Sequence, residues 1–219
     1  MILPLEYGAL SCSLPRSTHE VHLAENIPMA PMTSLGVGGA CRWFAEPTCI
    51  EDLRAVLRWA KSEGVRAMPV GGGCNLLVRP GGFEGVVLRT GRMNGLTRSR
   101  QHVVAEAGLS LPRLIRWCLR WGLSGLENLA GIPGTVGGSV VMNAGGRFGE
   151  IGQYVESVLA LDPSGRAVFL RQEDIRFAYR SSPGLDGLVV YEVVFKLAKG
   201  DPEQVRRRWL EIMDGKRAT

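Results

Sequence analysis

The apolar positions of this chain change period several times, and each change marks a predicted element. Leu53, Val56, Leu57 and Ala60 recur at three- and four-residue spacing, which predicts an amphipathic helix stopped by Gly64. Ahead of it, Thr48 and Glu51 stand three apart and predict a capping box. A second helical stripe, Leu111, Leu114, Ile115, Cys118 and Leu119, follows Ser110 as N-cap and ends at Gly122, leaving Arg113, Arg116 and Arg120 on the other face. Asp201 and Pro202 open a third helix with Val205, Trp209 and Ile212 along one side. Between these lie short runs rich in β-branched and apolar residues, and strands are predicted over 67–70, 85–88, 102–107, 155–161, 167–170 and 188–195. Asp162-Pro163-Ser164-Gly165 supplies the turn of a hairpin. Residues 1–28 show no sustained periodicity and are expected to form an irregular extension.

Two glycine clusters interrupt this pattern. The strand over 67–70 runs into Gly71-Gly72-Gly73-Cys74-Asn75-Leu76, and a later apolar segment runs into Gly131-Ile132-Pro133-Gly134-Thr135-Val136-Gly137-Gly138. Without a Cβ, backbone N–H groups approach a ligand closely, and successive N–H groups in a nest bind anions. Two such loops can cradle a diphosphate and a flat ring, although either loop alone also reads as a tight turn. The order strand, glycine loop, strand differs from the dinucleotide fingerprint, where the glycines open a helix, and argues against a Rossmann fold.

The composition narrows the function classes. A net charge of +5 favours phosphorylated or carboxylated small molecules. The arginine clusters alternate with apolar positions at helical spacing, so they read as solvated faces and nucleic acid is not expected as a partner. No apolar run approaches the roughly 20 residues of a membrane helix, and Glu6 breaks the apolar character of an N-terminus that lacks a basic region, so no membrane anchor or secretory signal is expected. Cys12, Cys41, Cys49, Cys74 and Cys118 are odd in number and include no CxxC pair, which predicts reduced thiols and a cytoplasmic location. His19 and His22 lack companions for a metal shell, and no metal is expected.

From residue 33 onward the motifs fall in the order of a known family. They are Thr33-Ser34-Leu35-Gly36-Val37-Gly38-Gly39, Pro69 and Val70 with the first glycine loop, Glu106-Ala107-Gly108, Gly122-Leu123-Ser124-Gly125-Leu126-Glu127, the second glycine loop, Met142-Asn143-Ala144-Gly145 and Phe177-Ala178-Tyr179-Arg180. In these the chain resembles the UDP-N-acetylenolpyruvoylglucosamine reductases. The resemblance implies an α+β fold, a two-lobed FAD-binding domain of the vanillyl-alcohol oxidase (PCMH) type. Its expected divisions are lobe one over 29–90, lobe two over 91–200 and a C-terminal helix over 201–219.

By the same resemblance, Val70, Gly71, Gly72, Gly73, Cys74, Asn75 and Leu76 would hold the FAD pyrophosphate. Gly131, Ile132, Pro133, Gly134, Thr135, Val136, Gly137 and Gly138 would run beside the pyrophosphate and isoalloxazine, with Asn143 and Gly145 next to the flavin. Cys74 stands where the family usually has serine. Arg180 matches the catalytic arginine of the family's Tyr-Arg-x-Ser motif, and Tyr179 is expected on the substrate side. The implied reaction is NADPH-linked reduction of UDP-N-acetylglucosamine enolpyruvate to UDP-N-acetylmuramate in peptidoglycan precursor synthesis. The family carries its proton-donor serine and catalytic glutamate in a third domain just beyond a segment resembling 206–219, so the chain is expected to be an incomplete form. The alternatives are a stand-alone FAD-binding module served by a partner chain that supplies that domain, or another flavoprotein oxidoreductase on the same scaffold.

Overall fold

The computed structural model describes residues 23–217, so Cys12, His19, His22 and most of the expected N-terminal extension lie outside the described residues. In chain order the elements are β1 (Ala24–Pro28), β2 (Ala40–Ala45), α1 (Ile50–Ser62), β3 (Arg66–Val70), β4 (Phe83–Arg89), β5 (Leu96–Ser99), β6 (His102–Glu106), α2 (Leu111–Arg120), β7 (Leu123–Ser124), α3 (Val136–Val141), β8 (Gly145–Gly146), β9 (Gly149–Glu150), β10 (Val155–Leu161), β11 (Ala167–Arg171), α4 (Gln172–Ile175), β12 (Val189–Lys196), β13 (Ala198–Lys199) and α5 (Pro202–Arg217). No helix among the described residues is long and apolar enough to cross a membrane.

Two sheets carry the fold. The first has the order β1-β2-β4-β3, with β2 and β3 both parallel to β4 and β1 antiparallel at the edge. The second, β11-β10-β12-β6-β5, is antiparallel throughout. Strand β1 corrects the expectation of an irregular segment reaching residue 28: Ala24 pairs with Phe44 and Pro28 with Ala40. As an edge strand exposed along most of its length, it carries no alternation that a sequence pattern could reveal.

Helix α1 buries Leu53, Val56, Leu57 and Ala60, the stripe its spacing predicts. Its start differs from the predicted box. The helix begins at Ile50, which puts Asp52 rather than Glu51 at the third helical position, and Asp52 Oδ2 accepts from the Thr48 amide at 2.9 Å and hydroxyl at 2.7 Å. At the other end Gly64 adopts φ +65° while the Val65 amide donates to the Ala60 carbonyl, closing the helix as expected.

The buried face of α1 packs with Ala45, Val86 and Leu88 of the first sheet and with Leu161 and Val189 of the second, so one apolar layer is common to both lobes. The opposite face of the second sheet is covered by α2 and α3 around Val103, Leu114, Ile115, Val136, Val140, Val158, Val193 and Phe195. On α2 the exposed face carries Arg113, Arg116 and Arg120. A third cluster, Met29, Cys41, Val70, Val78 and Val87, joins the residue where the first glycine loop leaves β3 to the segment that follows the loop.

Candidate functional site

The first glycine loop leaves β3 at the buried Val70. It is closed from outside by the 33–39 segment, where the Ser34 amide donates to the Gly73 carbonyl at 3.1 Å. Cys74 and Asn75 are exposed, Leu76 is half-buried, and the Cys74 thiol turns back to the Gly72 carbonyl at 3.6 Å.

The second loop is held by lobe two. The Leu111 amide donates to the Gly134 carbonyl at 3.0 Å, the Val136 amide to the Leu109 carbonyl at 2.8 Å, and the Gly137 amide to the Ala107 carbonyl at 2.8 Å. A Cβ on Gly137 would lie 2.7 Å from that of Ala107, so this glycine serves packing against the end of β6. Gly134 is different. Nothing of the protein lies within 4 Å of where its Cβ would be, and its φ of +110° favours glycine.

The two loops, distant in sequence, meet. A Cβ on Gly71 would fall on the Thr135 hydroxyl, and one on Gly72 would sit 3.3 Å from Gly134 Cα. Thr135 precedes α3 as its N-cap residue without a side-chain capping bond. Its Oγ1 is the one buried side-chain nitrogen or oxygen among the described residues that lacks a hydrogen-bond partner. Leaving a buried hydroxyl unpaired costs about 1–3 kcal/mol, which makes the position unusual for a residue with a merely structural role.

Beyond α3 the chain turns through a second set of expected residues. Asn143 is buried, and its side chain is fully engaged: Nδ2 donates to Glu150 Oε2 at 2.7 Å and to the Ala178 carbonyl at 2.9 Å, and Oδ1 accepts from the Gly152 amide at 3.1 Å. Gly145 opens the β8–β9 hairpin, where a Cβ would lie 2.7 Å from Glu150 Cα. Both residues therefore have an architectural reason of their own.

Tyr179 and Arg180 occupy an exposed turn closed by reciprocal backbone bonds between Ala178 and Ser181. The Arg180 guanidinium carbon lies 5.9 Å from the centre of the Tyr179 ring. Arg180 has φ +54°, a left-handed conformation that costs a non-glycine residue about 1–2 kcal/mol. Ser182, buried, donates to the Val140 carbonyl at 2.7 Å and so fastens the turn to α3. Short α3 thus links Thr135 at one end to the Arg180 turn at the other.

Sequence reasoning identified the two loops and the Arg180 turn but missed how they are held. Glu127 is buried, accepts from the Ser124 hydroxyl at 2.7 Å and from the Gly125 amide, and fixes the approach to the second loop. Glu127 closes the Gly122–Glu127 motif and Ser182 the Tyr-Arg-x-Ser motif, so their positions were legible while their partners were not.

A family model described as FAD binding domain matches residues 42–171. The chain is 37% identical over 192 residues to UDP-N-acetylenolpyruvoylglucosamine reductase of Clostridium novyi (strain NT), covering 87% of this chain and 62% of that protein. It is 40% identical over 192 residues to the enzyme of the same name from Geobacter sulfurreducens, with the same coverage of 87% and 62%. The chain thus spans about three-fifths of the length of the curated relatives it matches. Among solved structures, UDP-N-acetylenolpyruvylglucosamine reductase (MurB) from Thermus caldophilus superposes with a TM-score of 0.75 at 32% identity, over 91% of this chain and 70% of that one. A BBE-like protein of Physcomitrella patens superposes at 0.58 with 20% identity over 73% of this chain and 37% of that one, a likeness of fold alone. The chain belongs to the UDP-N-acetylenolpyruvoylglucosamine reductase family and carries its FAD-binding domain.

Proposed function

We propose that the chain holds FAD where its two glycine loops meet, and that it serves the NADPH-linked reduction of UDP-N-acetylglucosamine enolpyruvate to UDP-N-acetylmuramate. The contact of Gly71 and Gly72 with Gly134 and Thr135 carries this reading. Bare backbone from both loops, with the orphaned Thr135 hydroxyl between them, fits a diphosphate that needs N–H and O–H donors and tolerates no Cβ. Residues 70–76 and 131–138 are assigned to this cradle. Asn143 acts through the backbone it holds, because its amide is engaged by Glu150, Ala178 and Gly152.

FAD, when bound, supplies hydride transfer. The chain's own contribution is charge and position. Arg180 places a guanidinium where negative charge would develop on the substrate carboxylate side, which stabilises the transition state more than the ground state. Tyr179, 84% exposed, offers a ring and a hydroxyl beside it for the substrate. The division into lobes follows the two sheets, with β1 added to lobe one. A cytoplasmic location goes with this reading and is supported by the free thiols of Cys41, Cys49, Cys74 and Cys118.

Titration of the purified chain with FAD, read by flavin absorbance and fluorescence quenching, tests the cradle; no binding would overturn it. NADPH oxidation that depends on the enolpyruvyl substrate tests the reaction. Reduction of the flavin by a small alcohol with no response to NADPH would assign the scaffold to another oxidoreductase.

A further inference from the structure

Helix α5 lies along the segment that leads into the second glycine loop and grips it at two points. Arg208 Nε donates to Asn128 Oδ1 at 2.9 Å, and Asn128 Nδ2 in turn donates to the Tyr154 hydroxyl at 2.7 Å. Eight residues further on, about 12 Å along the helix axis, Lys216 Nζ donates to the Ala130 carbonyl at 2.6 Å. That carbonyl belongs to the peptide joining Ala130 to Gly131, the first glycine of the loop.

The contact is also steric. A Cβ on Gly131 would lie 3.0 Å from Lys216 Cδ and 3.5 Å from Met213 Sδ, so the helix surface is fitted to a residue with no side chain and a φ of +77°. Partial burial also lowers the Lys216 pKa. Arg208, Met213 and Lys216 themselves lie outside the two glycine loops that form the cradle.

We propose that Lys216 is a positioning residue for the second glycine loop, with Arg208 as a further attachment, so that α5 sets the loop's geometry before any ligand arrives. The proposal rests on the reading of that loop as part of the FAD cradle. The bond to Ala130 orients the peptide that enters Gly131, while the Arg208–Asn128–Tyr154 chain holds the preceding turn. A loop held in place gives up less freedom on binding, so its hold appears as affinity.

The test uses the full chain and the variants Lys216→Met, Lys216→Arg and Arg208→Met. The Ala130 and Ile132 amides donate within the turn, to the Glu127 and Leu129 carbonyls, and report on it by hydrogen exchange without FAD. Lys216→Met is expected to speed exchange at both amides and to weaken FAD binding roughly tenfold, the scale of one charge-assisted hydrogen bond. Lys216→Arg, which keeps donors at that point, should restore both readouts, and Arg208→Met should speed the same amides. Unchanged exchange in Lys216→Met and Arg208→Met would overturn the proposal. Failure of the parent chain to bind FAD would overturn the cofactor reading instead, while exchange still decides the role of Lys216.

Discussion

Gly71 and Thr135 are in such close contact that a methyl group on Gly71 would occupy the place of the Thr135 hydroxyl. That hydroxyl is buried without a partner, so the same atom closes the gap between the loops and remains free to bond something else. Thr135→Val removes the unpaired group at nearly constant volume. The variant is expected to be more stable than the parent without ligand, by about 1 kcal/mol, and to bind FAD more weakly. Thermal melts and FAD titrations of the two proteins check the opposite signs; a drop in both would make Thr135 a structural residue.

Gly71→Ala should force the loops apart. Overpacking of this kind costs about 1–3 kcal/mol, and FAD affinity is expected to fall by a corresponding ten- to hundredfold. Thr135→Ala in the same chain clears the space, so the double variant should lose less than the two single losses added together. A double-mutant cycle on the dissociation constants measures the coupling.

Arg180→Gln is expected to leave the FAD dissociation constant unchanged and to reduce substrate-dependent NADPH oxidation by about 10²–10³, the scale of one lost charge-stabilising donor. Arg180→Gly, by relieving the left-handed conformation at φ +54°, should melt higher than the parent while being equally impaired. Equal turnover by the parent and Arg180→Gln would take Arg180 out of the chemistry.

The second sheet contains a pH-dependent element. Glu192 lies directly across from Glu106 in the β12–β6 register, and burial, followed by the charge of Glu106, raises its pKa. The Glu106 carboxylate accepts from the Tyr191 hydroxyl at 2.8 Å and the Gly95 amide at 2.6 Å. Because the folded state holds the Glu192 proton more strongly than the unfolded chain, the stabilisation is full below the ordinary carboxylate range and is lost as pH rises through the raised value. Glu192→Gln should therefore melt above the parent at about pH 8 and no higher at about pH 4. A difference independent of pH would refute this account.

The thiols should separate by environment. Burial, with a further push from the Glu127 charge, raises Cys118 to about 12, so it stays protonated and unreactive in the folded chain at neutral pH. Cys74 is exposed on the first glycine loop. Alkylation with iodoacetamide should label Cys74 before Cys118, bound FAD should slow it, and peptide mapping by mass spectrometry reads both effects.

The helices were legible because their stripes are long: the residues predicted to face inward on α1, Leu53, Val56, Leu57 and Ala60, are the ones buried. The β10–β11 hairpin was legible through Asp162, whose Oδ1 accepts from the Ser164 amide at 2.8 Å and the Arg166 amide at 3.0 Å. Strand β2 was not, because apolar residues lie on both its faces, Trp43 and Ala45 against the α1 layer and Cys41 and Phe44 in the cluster with Val70, so no clean period-two alternation marks it. Both glycine loops stood out, yet their meeting depends on bonds from Leu111, Leu109 and Ala107 that no local pattern encodes. The glycines also divide in a way composition hides: Gly137 and Gly145 accommodate the protein itself, whereas Gly134 faces open space.

Helix α1 is a keel shared by two hulls. Its stripe is sealed by the first sheet through Val86 and Leu88 and by the second through Leu161 and Val189, and Arg54 adds a bond to the Gly165 carbonyl at 2.9 Å. Prising the lobes apart would wet the whole stripe at once, so the spacing between the glycine loops is inherited from the core and does not breathe like a jaw. The two lobes are therefore expected to unfold in one transition, with calorimetric and spectroscopic melts coinciding.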